Sequence, residues 1–222
     1  MTPHPQAWVA LVPIQAPPRA KSRLVGLPGR EELAWAMACD TLVALSSCPE
    51  IEAVYAMTPD PGEIPTTLAV RVLTDCEPGN LNASLVGAAQ RIAKDDGGHG
   101  LAIVLADLPC VRPADFTAAL HTASRYSIVS DQDGTGTTML FDPTGTSIPS
   151  RFQPHFGTHS CAAHVKSGAT NIAPELPVAV RARLQRDVDT AVDLWDALRI
   201  GVGEHTSRWS EGFTPALQRL RD

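Results

Sequence analysis

A short apolar run that ends in an acid and a proline sets the strongest limit on what this chain can become. Leu101-Ala102-Ile103-Val104-Leu105-Ala106 is followed at once by Asp107-Leu108-Pro109. Apolar residues without polar alternation suit a strand buried on both faces. Such strands belong to parallel sheets covered by helices, and ligands bind in the crevice beyond their carboxyl ends. Asp107 stands at that end, where a lone carboxylate is a good Mg²⁺ ligand. A second acidic cluster, Asp187-Val188-Asp189-Thr190, lies far along the chain and can supply the other ligand. Two acid sites facing one crevice suggest metal-assisted chemistry on phosphates.

The rest of the chain alternates in the same way. Strand-like runs fall at 7–12, 53–57, 69–73, 127–130 and 138–141, and helical patterns at about 31–46, 80–94, 161–166 and 191–198. Asn80 or Asn82 suits a helix cap, and Pro113 a favoured first helical position. The fold class expected is α/β, a mostly parallel central sheet flanked by helices. A single domain over 1–208 is expected, followed by a tail over 209–222 whose Trp209 and Phe213 suit packing or a homodimer contact.

Composition excludes several classes. At 222 residues and a formal net charge of -6, no broad basic face recruits nucleic acid. No apolar stretch approaches the roughly 20 residues needed to cross a bilayer, and the N-terminus lacks the pattern of a signal peptide. The five cysteines are odd in number and fall in no CxxC pair, which fits free thiols in a reducing cytoplasm.

Phosphate-binding motifs narrow the field by elimination. No GxxxxGK[ST] occurs, and Gly134-Thr135-Gly136-Thr137-Thr138 lacks the third glycine of a dinucleotide fingerprint. That segment can form an anion-binding nest, but its spacing favours a hairpin turn between two strands. The loop after the first strand carries Arg19, Lys21 and Arg23, where a nucleoside triphosphate would lie in a doubly wound sheet. Lys21 and Arg23 can neutralise phosphates there, although a solvated basic loop explains the same residues. His155, His159, Cys161 and His164 invite a zinc site, yet their spacing matches no closed zinc module. Ser160 as the cap of a short anion-holding helix is the better account, with the histidines as lining or surface residues.

Taken together, Ala20-Lys21-Ser22-Arg23-Leu24, Leu81-Asn82, Ala106-Asp107-Leu108-Pro109, Asp133-Gly134-Thr135-Gly136-Thr137, Phe156-Gly157, Ser160, Arg186-Asp187-Val188-Asp189-Thr190 and Gly201-Val202-Gly203 form a specific series. Their order and spacing resemble the 2-phospho-L-lactate guanylyltransferase family, also called phosphoenolpyruvate guanylyltransferase, which acts in biosynthesis of the deazaflavin coenzyme F-420. The resemblance implies a Rossmann-like (GT-A-like) nucleotidyltransferase fold. It also implies transfer of GMP from GTP to a small phosphorylated carboxylate, with phosphoenolpyruvate favoured over 2-phospho-L-lactate and 3-phospho-D-glycerate. By motif, Thr137, Gly157 and Ser160 would bind the acceptor. Asp107 and Asp187 would hold Mg²⁺ with Asp189 as a neighbour, Lys21 and Arg23 would face the triphosphate, and Asn82 would sit near the nucleoside. A downstream deazaflavin transferase is the partner implied.

Two departures from the family pattern stand out. The first loop reads Gln15-Ala16-Pro17-Pro18, and extra residues separate Phe141 from His155, so that Arg151-Phe152 competes with His155-Phe156 for one motif. Phe156-Gly157 keeps Ser160 and His164 in register. Competing accounts are another nucleotidyl- or sugar-nucleotide enzyme on the same fold, a non-catalytic nucleotide-binding regulatory subunit, and a zinc protein.

Overall fold

Unalternated apolar runs become the centre of a single sheet. The computed structural model describes residues 7–14, 24, 27, 29–147 and 151–212. Among these, seven strands pair: β1 (Trp8–Pro13), β2 (Ile51–Thr58), β3 (Arg71–Thr74), β4 (Gly100–Val104), β5 (Ser127–Ser130), β6 (Thr137–Asp142) and β7 (Thr170–Asn171). Their order is β3-β2-β1-β4-β6-β5-β7, and β6 alone runs antiparallel to its neighbours β4 and β5. The sheet is therefore mostly parallel, as expected, with its carboxyl ends gathered on one edge. β4 stops at Val104, two residues earlier than the apolar run suggests, although Leu105 N still donates to Thr138 O at 3.0 Å.

Side-chain alternation divides β1 between two cores. Trp8, Ala10 and Val12 pack with one cluster, on helices α1 (Arg30–Ser46) and α3 (Pro113–Thr122). Val9 and Leu11 face the other cluster, beneath α2 (Leu81–Asp95), whose Leu85, Ala88, Ala89 and Ile92 form its buried stripe. Asn80 caps α2 by accepting from Ala83 N at 3.2 Å. Four shorter helices complete the chain: α4 (Ser160–Lys166), α5 (Val178–Leu184), α6 (Ala191–Ile200) and α7 (Glu204–Gly212). A third cluster joins α1, Val188, α6 and Trp209 of α7. α7 runs through the 208/209 junction, and Trp209 is buried with its indole N–H donating to Gly29 O at 3.0 Å. Residues 209–212 thus belong to the folded unit, while Phe213 lies outside the described residues. No helix among the described residues is long and apolar enough to cross a membrane.

One buried ion pair orients the chain that leads into the second acidic motif. Asp115 on α3 is 1% exposed and accepts from Arg183 Nε at 2.8 Å and Arg183 Nη2 at 2.6 Å. The same carboxylate accepts from Arg112 N at 2.9 Å, closing the start of α3. α5 is thereby fixed to α3 just before residues 186–190. Removing one partner of a buried pair strands the other charge. Asp115→Ala is therefore expected to lower the unfolding free energy by about 3 kcal/mol or more, measured by urea denaturation.

Candidate active site

A cleft of about 570 Å³ opens at the carboxyl edge of the sheet. Its floor is made where β1 and β4 end, by Pro13 and Ile14 and by 105–107. Six of the residues singled out in the sequence line it: Asp107, Asp187, Asp189, Thr137, Gly157 and Ser160. Lys21 and Arg23 lie outside the described residues.

The two acidic segments meet through the backbone. Val188 N donates to Asp107 O at 3.2 Å, and the Val188 side chain is wholly buried in the cluster shared by α1 and α6. In an extended segment, neighbours on either side of an inward residue point the opposite way. Asp187 and Asp189 accordingly both line the cleft, beside Asp107. The segment is locked beyond this point by a capping box in which Thr190 accepts from Asp193 N and Asp193 accepts from Thr190 N. Asp193 also accepts from Asp189 N at 3.2 Å. On the other side, the Thr41 hydroxyl lies 3.4 Å from Ala106 O and 3.3 Å from Leu108 O, bracketing Asp107 from α1.

Another part of the lining is a hydrogen-bonded unit of β6 and α4. Ser160 Oγ donates to Thr137 Oγ1 at 3.2 Å, and Thr137 Oγ1 lies 3.1 Å from His164 Nδ1. His155 N donates to His164 Nε2 at 2.8 Å. Burial, then the neighbouring His155, pushes the His164 pKa down to about 4. His164 was expected to line the site or the surface, whereas it is 0% exposed and joins strand, helix and loop. The signal for it was the Ser160/His164 spacing, which places both on one helical face.

One expectation changes here and another holds. Ser160 does not cap α4: it is the first helical residue, and His159 stands at the cap in a left-handed conformation with φ 57°. The Ser160 hydroxyl is directed at Thr137 instead, and Cys161 N is already bonded to Thr135 O at 3.1 Å. The 131–136 segment joins β5 to β6 as a hairpin, the reading its spacing favours, and the carboxylate its amides hold is the chain's own. Asp131 accepts from Thr135 N at 2.8 Å and Gly136 N at 2.7 Å, so these amides are already engaged. A Cβ on Gly136 would come within 2.5 Å of Asp131 Oδ2, so a larger residue there would displace the carboxylate from this grip. Asn82, at the start of α2, pairs its amide with the backbone of a loop that lines the cleft. It donates to Phe156 O at 2.9 Å and accepts from Phe156 N at 2.8 Å. Phe156 and Gly157 are thus held at the cleft wall, whereas Phe152 is buried in the core. Gly157 has φ 131°, a conformation open to glycine and strained for other residues.

Electrostatics set what the cleft can accept. Among its described lining residues are six carboxylates (Glu31, Glu63, Asp107, Asp131, Asp187 and Asp189) and neither Lys nor Arg. A polyanion entering such a cleft needs cations brought with it or supplied by other segments. Asp107, Asp187 and Asp189 offer hard oxygen donors, which suit Mg²⁺. No group of three or more His, Cys, Asp or Glu in metal-binding reach occurs among the described residues. Mg²⁺ is commonly held by one or two carboxylates, with phosphate and water completing its shell, and so needs less than a full protein cage. Among the described residues there is neither a protein-only cage nor the zinc site considered from sequence.

Comparison with known proteins identifies the family and the fold. The guanylyl transferase CofC-like family model matches residues 8–213. The chain belongs to this family of nucleotidyltransferases. It is 38% identical over 213 residues to a phosphoenolpyruvate guanylyltransferase of Salinispora arenicola, covering 91% of this chain and 92% of that one. In fold it is similar to a protein of Desulfovibrio desulfuricans G20 described as a nucleotide-diphospho-sugar transferase. That match has a TM-score of 0.68 at 16% identity, over 96% of this chain and 97% of the other. A nucleotidyl transferase from Methanothermobacter matches with a TM-score of 0.53 at 17% identity, over 91% and 98% of the two chains.

The His164 environment has a consequence for stability. The folded chain holds the ring neutral down to about pH 4, while a histidine in the unfolded chain takes up a proton near 6.5. The unfolded state therefore binds more protons in that window, so stability falls as pH drops from about 6.5 towards 4. In urea titrations across these pH values, His164→Gln is expected to show a shallower loss than the parent chain.

Proposed function

We propose that this chain transfers GMP from GTP to a small phosphorylated carboxylate, phosphoenolpyruvate before 2-phospho-L-lactate, and releases pyrophosphate. The observation that carries this reading is the meeting of Asp107 with Asp187 and Asp189 in one cleft, beside the Thr137 and Ser160 hydroxyls. The name borne by the Salinispora arenicola relative supports the acceptor. The same kinship favours a place in coenzyme F-420 synthesis, with a deazaflavin transferase taking up the product.

The division of labour follows from charge. The attacking oxygen belongs to the acceptor's phosphate, which is already ionised near neutral pH, so no strong general base is required. His164 suits that scheme, since it is neutral and both ring nitrogens are engaged within the protein. The obstacle is repulsion between two polyanions. Asp107 and Asp187 would hold Mg²⁺, with Asp189 as a neighbour, and the ion would supply the positive charge that lets the anions approach and stabilises the α-phosphate and leaving group. Thr137, Ser160 and the Gly157 backbone would bind the acceptor's phosphate and carboxylate. Lys21 and Arg23 would meet the triphosphate. Asn82 would sit near the nucleoside, at the start of α2, where it also holds the Phe156 segment.

Incubating the protein with GTP, Mg²⁺ and each acceptor, with mass spectrometry of the products, tests the reading. A GMP adduct and pyrophosphate are expected with phosphoenolpyruvate, and CTP or UTP should substitute poorly. Asp107→Ala and Asp187→Ala should each reduce turnover by roughly a hundredfold or more with circular dichroism unchanged. Turnover at the parent rate in either variant would contradict the assignment, as would equal use of CTP.

A further inference from the structure

The proposed chemistry gives the histidine-rich stretch no direct task, and the surroundings of His164 define one. A neutral imidazole has one donor and one acceptor nitrogen. His155 N–H can only donate, and it points at His164 Nε2 from 2.8 Å. Nε2 is therefore the acceptor, which puts the ring proton on Nδ1, 3.1 Å from Thr137 Oγ1. Ser160 Oγ–H donates to the same oxygen from 3.2 Å. A hydroxyl oxygen has two lone pairs, and both are now occupied. The Thr137 hydroxyl proton is thus left to point elsewhere, and Thr137 lines the cleft. Protonating the ring would set an Nε2–H against the His155 N–H, and burial opposes that charge as well. The Phe156 ring, edge-on at 5.1 Å and 76°, closes the remaining side.

We propose that His164 is a positioning residue which, through a single enforced tautomer, makes the Thr137 hydroxyl a dedicated hydrogen-bond donor to an anionic oxygen of the acceptor. This rests on the functional reading above, in which Thr137 contacts the acceptor. A free threonine hydroxyl can rotate and can present a lone pair to an anion, which is repulsive. The His164–Ser160 pair removes that option before the ligand arrives, so no reorganisation is needed when it binds. The role is confined to polarity: His164 touches no reactant and transfers no proton.

Steady-state kinetics of guanylyl transfer to phosphoenolpyruvate test it through a double-mutant cycle. Thr137→Val should raise the acceptor KM by roughly tenfold or more, the size expected for one hydrogen bond to a charged group, with the GTP KM within about twofold. His164→Gln should raise the acceptor KM similarly in the parent background and add little in the T137V background. His164→Asn, whose amide N–H can stand near the Nδ1 position, should recover most of the parent KM. An H164Q penalty of equal size in both backgrounds would overturn the proposal, because the histidine would then act independently of the hydroxyl. If H164Q does not fold, H164N decides: a parent-like KM supports the role, and a tenfold rise rejects it. Nitrogen-15 NMR of the histidine rings reads the tautomer without any turnover. A neutral ring protonated at Nδ1 at pH 7 is expected, and a ring protonated at Nε2 defeats the inference whatever the activity. Failure of the parent enzyme to use any acceptor, with the Nδ1 tautomer present, would instead reject the functional reading.

Discussion

The hydrogen bond from Val188 N to Asp107 O is the contact on which the site depends. It ties the end of β4 to a segment far along the chain, and burial of Val188 decides which way the flanking acids face. Everything around it keeps that contact in place. Arg183 anchors α5 to Asp115 before the motif, the Thr190–Asp193 capping box locks it behind, and Thr41, whose hydroxyl donates to Met37 O at 3.0 Å, packs beside the Asp107 turn. Clustered carboxylates repel one another, so the arrangement costs stability unless a cation or a ligand offsets it. Such local expense is usual where a fold carries a reaction.

The cleft brings together groups of two hydrogen-bonding characters. Carboxylate oxygens gather at the end of β4 and along 187–189, and can only accept or ligate a cation. Hydroxyls come from α4 and from β6, the strand next to β4, where the His164 ring and Ser160 orient Thr137. The hairpin between them takes no external anion, because Asp131 fills its turn. A phosphorylated carboxylate suits that division, with its anionic groups on the donors and the nucleotide's phosphates near the acids.

Legibility in the sequence followed burial. β4 and Asp107 were readable because an apolar run with no alternation has few other uses, and α2 because its apolar stripe and Asn80 cap coincide. α5 and α7 were not: Val178 opens α5 while 72% exposed, and α7 is polar apart from Trp209, so neither shows a helical stripe. β7 has only two residues, too few for a pattern. At the site, the acids were recognisable by type and position, whereas partner choice was not. The sequence could not show that Ser160 would bond Thr137 rather than its own helix, or that Asn82 would hold Phe156. Those choices are made by long-range packing of loops that local propensity does not describe.

The central claim is that Asp107 and Asp187 together hold a divalent cation beside the nucleotide. Electron paramagnetic resonance titration of Mn²⁺, in the presence of GTP, measures this directly on the parent chain and on Asp107→Asn and Asp187→Asn. Each substitution is expected to weaken Mn²⁺ binding by about tenfold or more while the fold persists. Equal Mn²⁺ affinity in all three proteins would contradict the account.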